Sequence, residues 1–270
     1  MPKLRHAVYK AGESVAPGLM HRLRIHRGAR DEAELALLPA LCSGGALAID
    51  VGAHRGLYVH HLRPFAQQII AFEPNPVLAH ELSRYYPQVR VEAVALSDSD
   101  SIATLRMPTD LLSWATIATS NTLALADPED GYTSFQVSTA RLDTYDLSDV
   151  CFIKVDVEGH EEAVIRGATL TIERCKPYLL IECEERHNHG GLSRIVGRLS
   201  RHRGYYLDGV SLRQIEQFVP EADQPTNNVS PKGKRGRYIN NFMFVPEDEV
   251  RGFEARVHSL LAGRRGTETH

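Results

Sequence analysis

ALAIDVGAHRG, residues 46–56, is the stretch whose reading decides the fold. Its first six residues are apolar but for one acid, which suits a strand buried on both faces of a parallel sheet. Asp50 falls near the carboxyl end of that strand, and the chain then turns through Gly52 and Gly56. In an open α/β sheet, ligands bind in the crevice beyond the carboxyl ends of the strands. Glycine lets the backbone approach a ligand closely, and a following helix offers unsatisfied N–H groups. An acid before such a turn suits a nucleoside-bearing cofactor; a purely structural strand–turn–helix junction is the plainer reading. The spacing argues against a dinucleotide fingerprint, because His54 stands where its middle glycine belongs.

Working outward, a helix is expected over 57–65, and QIIAF at 68–72 reads as a second strand ending in Glu73-Pro74-Asn75-Pro76. An acid at this tip can hold ribose hydroxyls, since a carboxylate accepts from both, or can cap a helix. Glu73 follows Asp50 by 23 residues, close to the spacing of roughly 20 expected within a βαβ unit. A helix over 77–86 leads to a third strand, VRVEAVAL at 89–96. Ser97 and Asp98 after it suit an adenine edge or a turn. Residues 103–107 and 135–139 alternate like exposed strands of a hairpin. Between them, 111–131 carries the only tryptophan, Trp114, among Ser, Thr and Asn, as a substrate-side loop or a surface excursion.

A fourth strand, VCFIKV at 150–155, delivers Asp156-Val157-Glu158-Gly159-His160-Glu161-Glu162, the densest chemical cluster in the chain. A helix from His160 places Val164, Ala168 and Ile172 on one face. YLLI at 178–181 is a fifth strand, ending in Glu182-Cys183-Glu184-Glu185 and followed by His187 and His189. Asp156 with Glu182 or Glu184 at neighbouring strand ends suits a hard divalent cation such as Mg²⁺; surface or capping carboxylates are the alternative. A helix over 192–202, a strand beginning at 205–207 and a last strand, INNFMFV at 239–245, complete the pattern. The Pro- and Asn-rich stretch 220–237 ends in a basic run with Lys232, Lys234, Arg235 and Arg237. Such a loop can cover an anionic substrate, touch nucleic acid or simply be solvated.

At 270 residues the chain suits one domain with additions: an N-terminal arm and helix over 1–40, a main domain over 41–250, and a C-terminal helix and tail over 251–270. DEAELALLPAL at 31–41 reads as a helix bent or ended by Pro39. A net charge of −3 gives no global reason to expect nucleic acid or an anionic membrane as partner. No apolar run approaches the ~20 residues of a membrane span, and the basic start lacks an apolar signal core, so a cytoplasmic protein is expected. Cys42, Cys151, Cys175 and Cys183 form no CxxC pair, so buried reduced thiols are expected rather than zinc ligands.

Several segments in order resemble the FkbM family of S-adenosylmethionine (AdoMet)-dependent methyltransferases. These are IDVGAHRGLY at 49–58, FEPNP at 72–76, VALSD at 94–98, RLDTY at 141–145, FIKVDVEGHEEAVIRGA at 152–168 and LLIE at 179–182. His54 stands where the family usually has asparagine. The resemblance implies a class I methyltransferase fold: a Rossmann-like, doubly wound α/β architecture with a seven-stranded, mostly parallel sheet between helices, its last strand antiparallel. It implies O-methylation of hydroxyls on sugars, natural products or related small molecules. By the same resemblance, Asp50, Gly52 and Gly56 surround the methionine part of AdoMet, with His54 a further cofactor-binding position of that loop, Glu73 binds the ribose with Asn75 beside it, and Ser97 and Asp98 lie near the adenine.

A hydroxyl acceptor needs alignment with the activated methyl and a group to take its proton. His160 is the first candidate base, Asp156 its rival and His187 the third; His160 as a plain helix N-terminal residue is the other reading. Asp156, Glu182 and Glu184 are the candidate Mg²⁺ ligands. The leading expectation is an O-methyltransferase acting on a sugar or glycoside hydroxyl. An RNA methyltransferase, suggested by the basic loop, and a non-catalytic AdoMet-binding protein are the alternatives. The N-terminal arm suits a homodimer contact.

Overall fold

The computed structural model describes residues 15–42, 46–108, 115–119, 121, 132–230, 233–234 and 236–265. Helix α1 (Pro17–Gly28) starts on a proline, whose missing N–H costs nothing in a first turn. It has no strong apolar stripe; one buried ring docks it instead. His21 stacks on Tyr85 at 4.0 Å between ring centroids, and its Nε2 lies 2.9 Å from the Tyr86 hydroxyl. The helix expected over 31–41 is a 3₁₀ turn (Ala33–Leu37) followed by α2 (Leu38–Leu41), because Pro39 lacks the N–H that a continuous helix would use.

Next come β1 (Leu47–Val51), α3 (Leu57–Leu62), β2 (Gln68–Phe72) and α4 (Pro76–Tyr85), the last capped by Asn75 Oδ1, which accepts from the Val77 and Leu78 N–H groups. The single third strand expected over 89–96 is two strands in different sheets, β3 (Arg90–Glu92) and β4 (Ala95–Leu96). β4 pairs with β6 (Tyr132–Ala140), which forms the expected hairpin with β5 (Ser101–Pro108). Then follow β7 (Val150–Val155), α5 (Glu161–Gly167) and α6 (Thr169–Cys175). One helix was expected from His160 through Ile172; it divides at Ala168. Asp143 supplies the reason, its carboxylate accepting from the Leu170 and Thr171 N–H groups at 3.0 and 2.8 Å and so starting a new helix. The remainder is β8 (Tyr178–Glu182), α7 (Gly191–Arg198), β9 (His202–Asp208), β10 (Ser211–Gln214), a helical turn α8 (Pro220–Asp223), the two-residue strands β11 (Val229–Ser230) and β12 (Gly233–Lys234), β13 (Asn241–Pro246) and α9 (Val250–Arg265).

The main sheet has eight strands in the order β10-β9-β13-β8-β7-β1-β2-β3, not seven: β10 turns back from β9 and adds an antiparallel edge. β3, β2, β1, β7 and β8 run parallel, and β13 lies antiparallel between β8 and β9, as the class I arrangement requires. Successive residues of the central strands point to opposite faces. Ala48, Phe152, Leu180 and Met243 face one core with α3 and α9. Ile49, Ile153, Leu179 and Phe242 face the other with α5, α6 and α7. Phe152 is fully buried, so truncating it to alanine would cost about 3–5 kcal/mol. Among the described residues, no helix is long and apolar enough to cross a membrane.

Candidate functional site

The carboxyl ends of β1, β2 and β7 are laced together by backbone. The Gly52 N–H donates to Phe72 O at 2.9 Å and the Asp156 N–H to Val51 O at 3.0 Å. Gly52 has φ +79°, and a Cβ there would sit 1.8 Å from Asp156 O, so no other residue fits where the turn crosses β7. His54 has φ +47°, a region histidine enters more readily than most residues, and its N–H donates to Glu73 Oε2 at 2.7 Å. Position 54 therefore contributes a left-handed backbone and a donor, which accounts for histidine replacing asparagine.

Glu73 takes a second backbone bond on its other oxygen, from the Asn75 N–H at 2.8 Å. Its carboxyl is 5% exposed, and burial pushes it up to about 7 despite these two donors. Asp50 is equally enclosed. Burial pushes it up to about 7 against the pull of Lys154, and its Oδ2 finds no partner among the described residues. The His54 imidazole, whose buried Nε2 is likewise unpartnered among the described residues, is pushed down to about 4 by desolvation.

Two cavities meet over this turn. The first is lined by Val51, Glu73, Leu96, Thr116, Glu158 and His160. The second, about 250 Å³, is lined by Arg24, Glu32, Asp50, Tyr58, Lys154 and Arg55. A water needs roughly 10–15 Å³, so the second cavity has room for an organic group. Gly52, His54 and Asp156 line both. Asp156 is the accessible acid at the junction, its side chain 37% exposed, and its Oδ2 lies 3.4 Å from Lys154 Nζ.

Lys154 is the residue sequence reasoning missed. Its ammonium is 1% exposed and lies 5.0 Å from the Tyr58 ring centroid. Burial opposes its charge, yet Asp156, Glu182, Glu32 and Asp50 together hold its pKa above the ordinary value. The signal was a lone cation in the apolar run VCFIKV, where an unpaired charge is not tolerated.

The other expected residues divide. His160 precedes α5, and its Nε2 lies 2.9 Å from Ser97 Oγ, which places it at the end of β4; burial lowers its pKa. Asp98 turns outward to Arg166 at 2.6 Å, and that guanidinium holds its carboxyl below the usual range. Asn75 serves Glu73 and α4 from behind the first cavity. Of the loop over 111–131, Trp114 lies outside the described residues, but Thr116 Oγ1 and Asn121 Nδ2 both donate to Glu158 O, at 2.9 and 2.8 Å, and draw the loop over the first cavity. His187 Nδ1 lies 3.0 Å from Glu158 Oε2, a buried pair that holds the β8 exit against the turn after β7.

The proposed Mg²⁺ ligands do not fit the ion. Glu184 is buried and bonded by Arg186, by the Tyr238 hydroxyl at 2.9 Å and by Asn240 at 3.1 Å, while Glu182 is taken by Asn240 and Asp156 by Lys154. Among the described residues no group of three His, Cys, Asp or Glu side chains is placed to hold a metal. In the basic run, Lys232 and Arg235 lie outside the described residues, and Arg237 is engaged by Asp208 and Asp223.

The profile of the methyltransferase FkbM domain matches residues 50–224, well over half of the chain. The chain belongs to the FkbM methyltransferase family. Similar solved structures include the FkbM methyltransferase of Methylobacillus flagellatus KT, at 17% identity and a TM-score of 0.46 over 75% of this chain. The chain covers 44% of that protein's length, less than half. An O-methyltransferase from Bacillus cereus matches at 12% identity, TM-score 0.42, over 88% of this chain and 96% of that one. An rRNA methylase from Streptococcus thermophilus matches at 9% identity, TM-score 0.42, over 79% and 93%. No curated protein sequence matches.

Membership implies AdoMet as cofactor, and the residues present fit it. The FkbM turn offers Glu73 with lone pairs left for two ribose hydroxyls, and an unpartnered buried Asp50 carboxylate oxygen for a cationic group. Leu96 and His160 line the first cavity where the adenine would sit, and Gly52 leaves backbone bare where the methionine part would pass.

Proposed function

We propose that this chain is an AdoMet-dependent O-methyltransferase whose acceptor is a hydroxyl of a small polar molecule of the sugar or glycoside class. The observation that carries the reading is Asp156, the half-exposed carboxylate lining both the nucleoside-side cavity and the wider one beside it. Bound AdoMet supplies an activated methyl group, so the protein's task is to orient the acceptor and take its proton. In this reading the acceptor enters the wider cavity with its hydroxyl toward Asp156 Oδ, which would take its proton. Lys154 Nζ, 3.4 Å away, fixes that carboxylate in direction. One observation supports Asp156 over His160: the imidazole is committed to Ser97, beside which this reading puts the adenine. Arg24, Glu32, Arg55 and Tyr58 set polar groups into the otherwise mostly apolar lining of the wider cavity, which suits an acceptor oriented by a few hydrogen bonds. No step is assigned to Mg²⁺, because its candidate ligands are already bonded to protein.

The test is transfer of a labelled methyl group from AdoMet to a panel of glycosides, catechols and structured RNA, with product mass spectrometry. Methylated glycosides support the proposal. Methylation confined to RNA, or AdoMet binding with no transfer to any acceptor, overturns it.

A further inference from the structure

At the opposite ends of the strands that carry Asp50 and Asp156, two cysteines distant in sequence meet. Cys42 closes α2, and Cys151 lies near the start of β7; their sulfurs are 3.7 Å apart. The sheet supplies a reason. Leu47 of β1 pairs with Val150 and Ala48 with Phe152, so the register shifts by one residue and Cys151 is the extra one. Such a bulge re-aims a side chain. Here it turns Cys151 to the face where Cys42 packs with Leu38 and Leu41. Cys42 is 2% exposed, while Cys151 is only partly buried and open to a small reagent. Cys175 and Cys183 belong to the core on the other face of the sheet.

We propose that Cys42 and Cys151 form a thiol–disulfide pair, oxidised by small-molecule disulfides. A disulfide needs sulfurs about 2.05 Å apart, so roughly 1.7 Å must close, a distance within reach of side-chain rotation. The Cys42 thiol hydrogen-bonds to Cys151 and draws the Cys151 thiol below its ordinary value, while that of Cys42 is raised. Cys151, the more exposed of the two, is the attacking group. Its thiolate displaces one thiolate from the reagent disulfide and forms a mixed disulfide. Cys42 then loses its proton and attacks the Cys151 sulfur, releasing the second reagent thiol. Two protein thiols are oxidised and one reagent disulfide is reduced. The product ties α2 to β7, at the end of the strands remote from the acids, so its readout is stability rather than chemistry.

The full reduced chain treated with excess oxidised glutathione should become lighter by two hydrogens, retain no glutathione and yield a peptide joining Cys42 to Cys151. Cys175 and Cys183 should remain alkylatable after denaturation. The oxidised form should melt about 5–10 °C higher than the reduced one, as expected for a bond closing a long loop. With Cys42→Ser, glutathione should stay on Cys151 because no resolving thiol is present. Four thiols left free, glutathione retained on wild-type Cys151, or a bridge using Cys175 or Cys183 would each overturn the proposal. The wild-type measurement stands even if the variant folds poorly.

Discussion

Asp50 and Lys154 are register partners on adjacent central strands, one at the end of β1 and one near the end of β7, and both are buried. Parity puts them on the same face of the sheet, toward Tyr58 and the wider cavity. Lys154 thus serves two acids, Asp50 within its own layer and Asp156 two residues on. Lys154→Met removes the cation and leaves both acids uncompensated. The expected outcome is a loss of about 3–5 kcal/mol in urea unfolding, the usual cost of stripping one partner from a buried ion pair. Turnover should also fall by about 10²-fold or more. A variant with wild-type stability would show that the ammonium is not the compensating charge.

Glu73→Gln changes one atom type yet should be costly. Both carboxylate oxygens accept backbone N–H groups, from His54 and Asn75, so the amide nitrogen must face a donor. AdoMet affinity measured by calorimetry should fall about 10- to 100-fold, and stability by about 1–3 kcal/mol. Unchanged affinity would move the ribose elsewhere.

Gly52→Ala is expected to destabilise by at least about 3 kcal/mol, through both its φ of +79° and a Cβ placed 1.8 Å from Asp156 O. Gly18→Ala is the control. It lies in α1 with nothing within 4 Å of the added carbon, and should be neutral or stabilising by up to about 1 kcal/mol.

Asp50 and Glu73 carry a pH signature. Their carboxyls are raised to about 7 by burial, from about 4 in an unfolded chain. Between those values the folded state holds the extra protons, so stability without ligand is greatest at the acid side of the window and falls as pH rises toward about 7. A cationic ligand prefers the ionised acids. AdoMet binding should therefore release protons and tighten by up to about tenfold per pH unit below about 7 for each acid that ionises, read by calorimetry in buffers of different ionisation enthalpy. Affinity independent of pH would contradict the assignment.

The metal reading is tested by chelation. Arg186, Tyr238, Asn240 and Lys154 already satisfy Glu184, Glu182 and Asp156, so EDTA should leave turnover unchanged. Loss with EDTA and rescue by Mg²⁺ would require that network to open.

The parallel strands β1, β2, β7 and β8 were legible because each is a short apolar run that ends at Gly or an acid, as in LAIDV before Gly52 and QIIAF before Glu73. What the sequence concealed depends on partners distant along the chain. Val89 to Leu96 reads as one strand, but it breaks because β4 is claimed by β6. The 141–145 segment carries a helix cap, visible only once Asp143 meets Thr171. Asp156, Glu182 and Glu184 share a strand-end geography that suited a metal, and only the structure shows Asn240 and Arg186 spending the last two. The pairing of Cys42 with Cys151 is invisible to spacing, because it joins positions 109 residues apart.

The most direct measurement compares single-turnover methyl transfer in Asp156→Asn and His160→Gln, with AdoMet binding checked for each. Asp156→Asn should slow transfer by about 10²–10⁴-fold while binding AdoMet nearly as well as wild type. His160→Gln should weaken AdoMet binding by about 3- to 10-fold, the worth of one hydrogen bond at the adenine end, and keep its rate at saturation. The reverse pattern, with the rate lost in His160→Gln and kept in Asp156→Asn, would contradict Asp156 as the base.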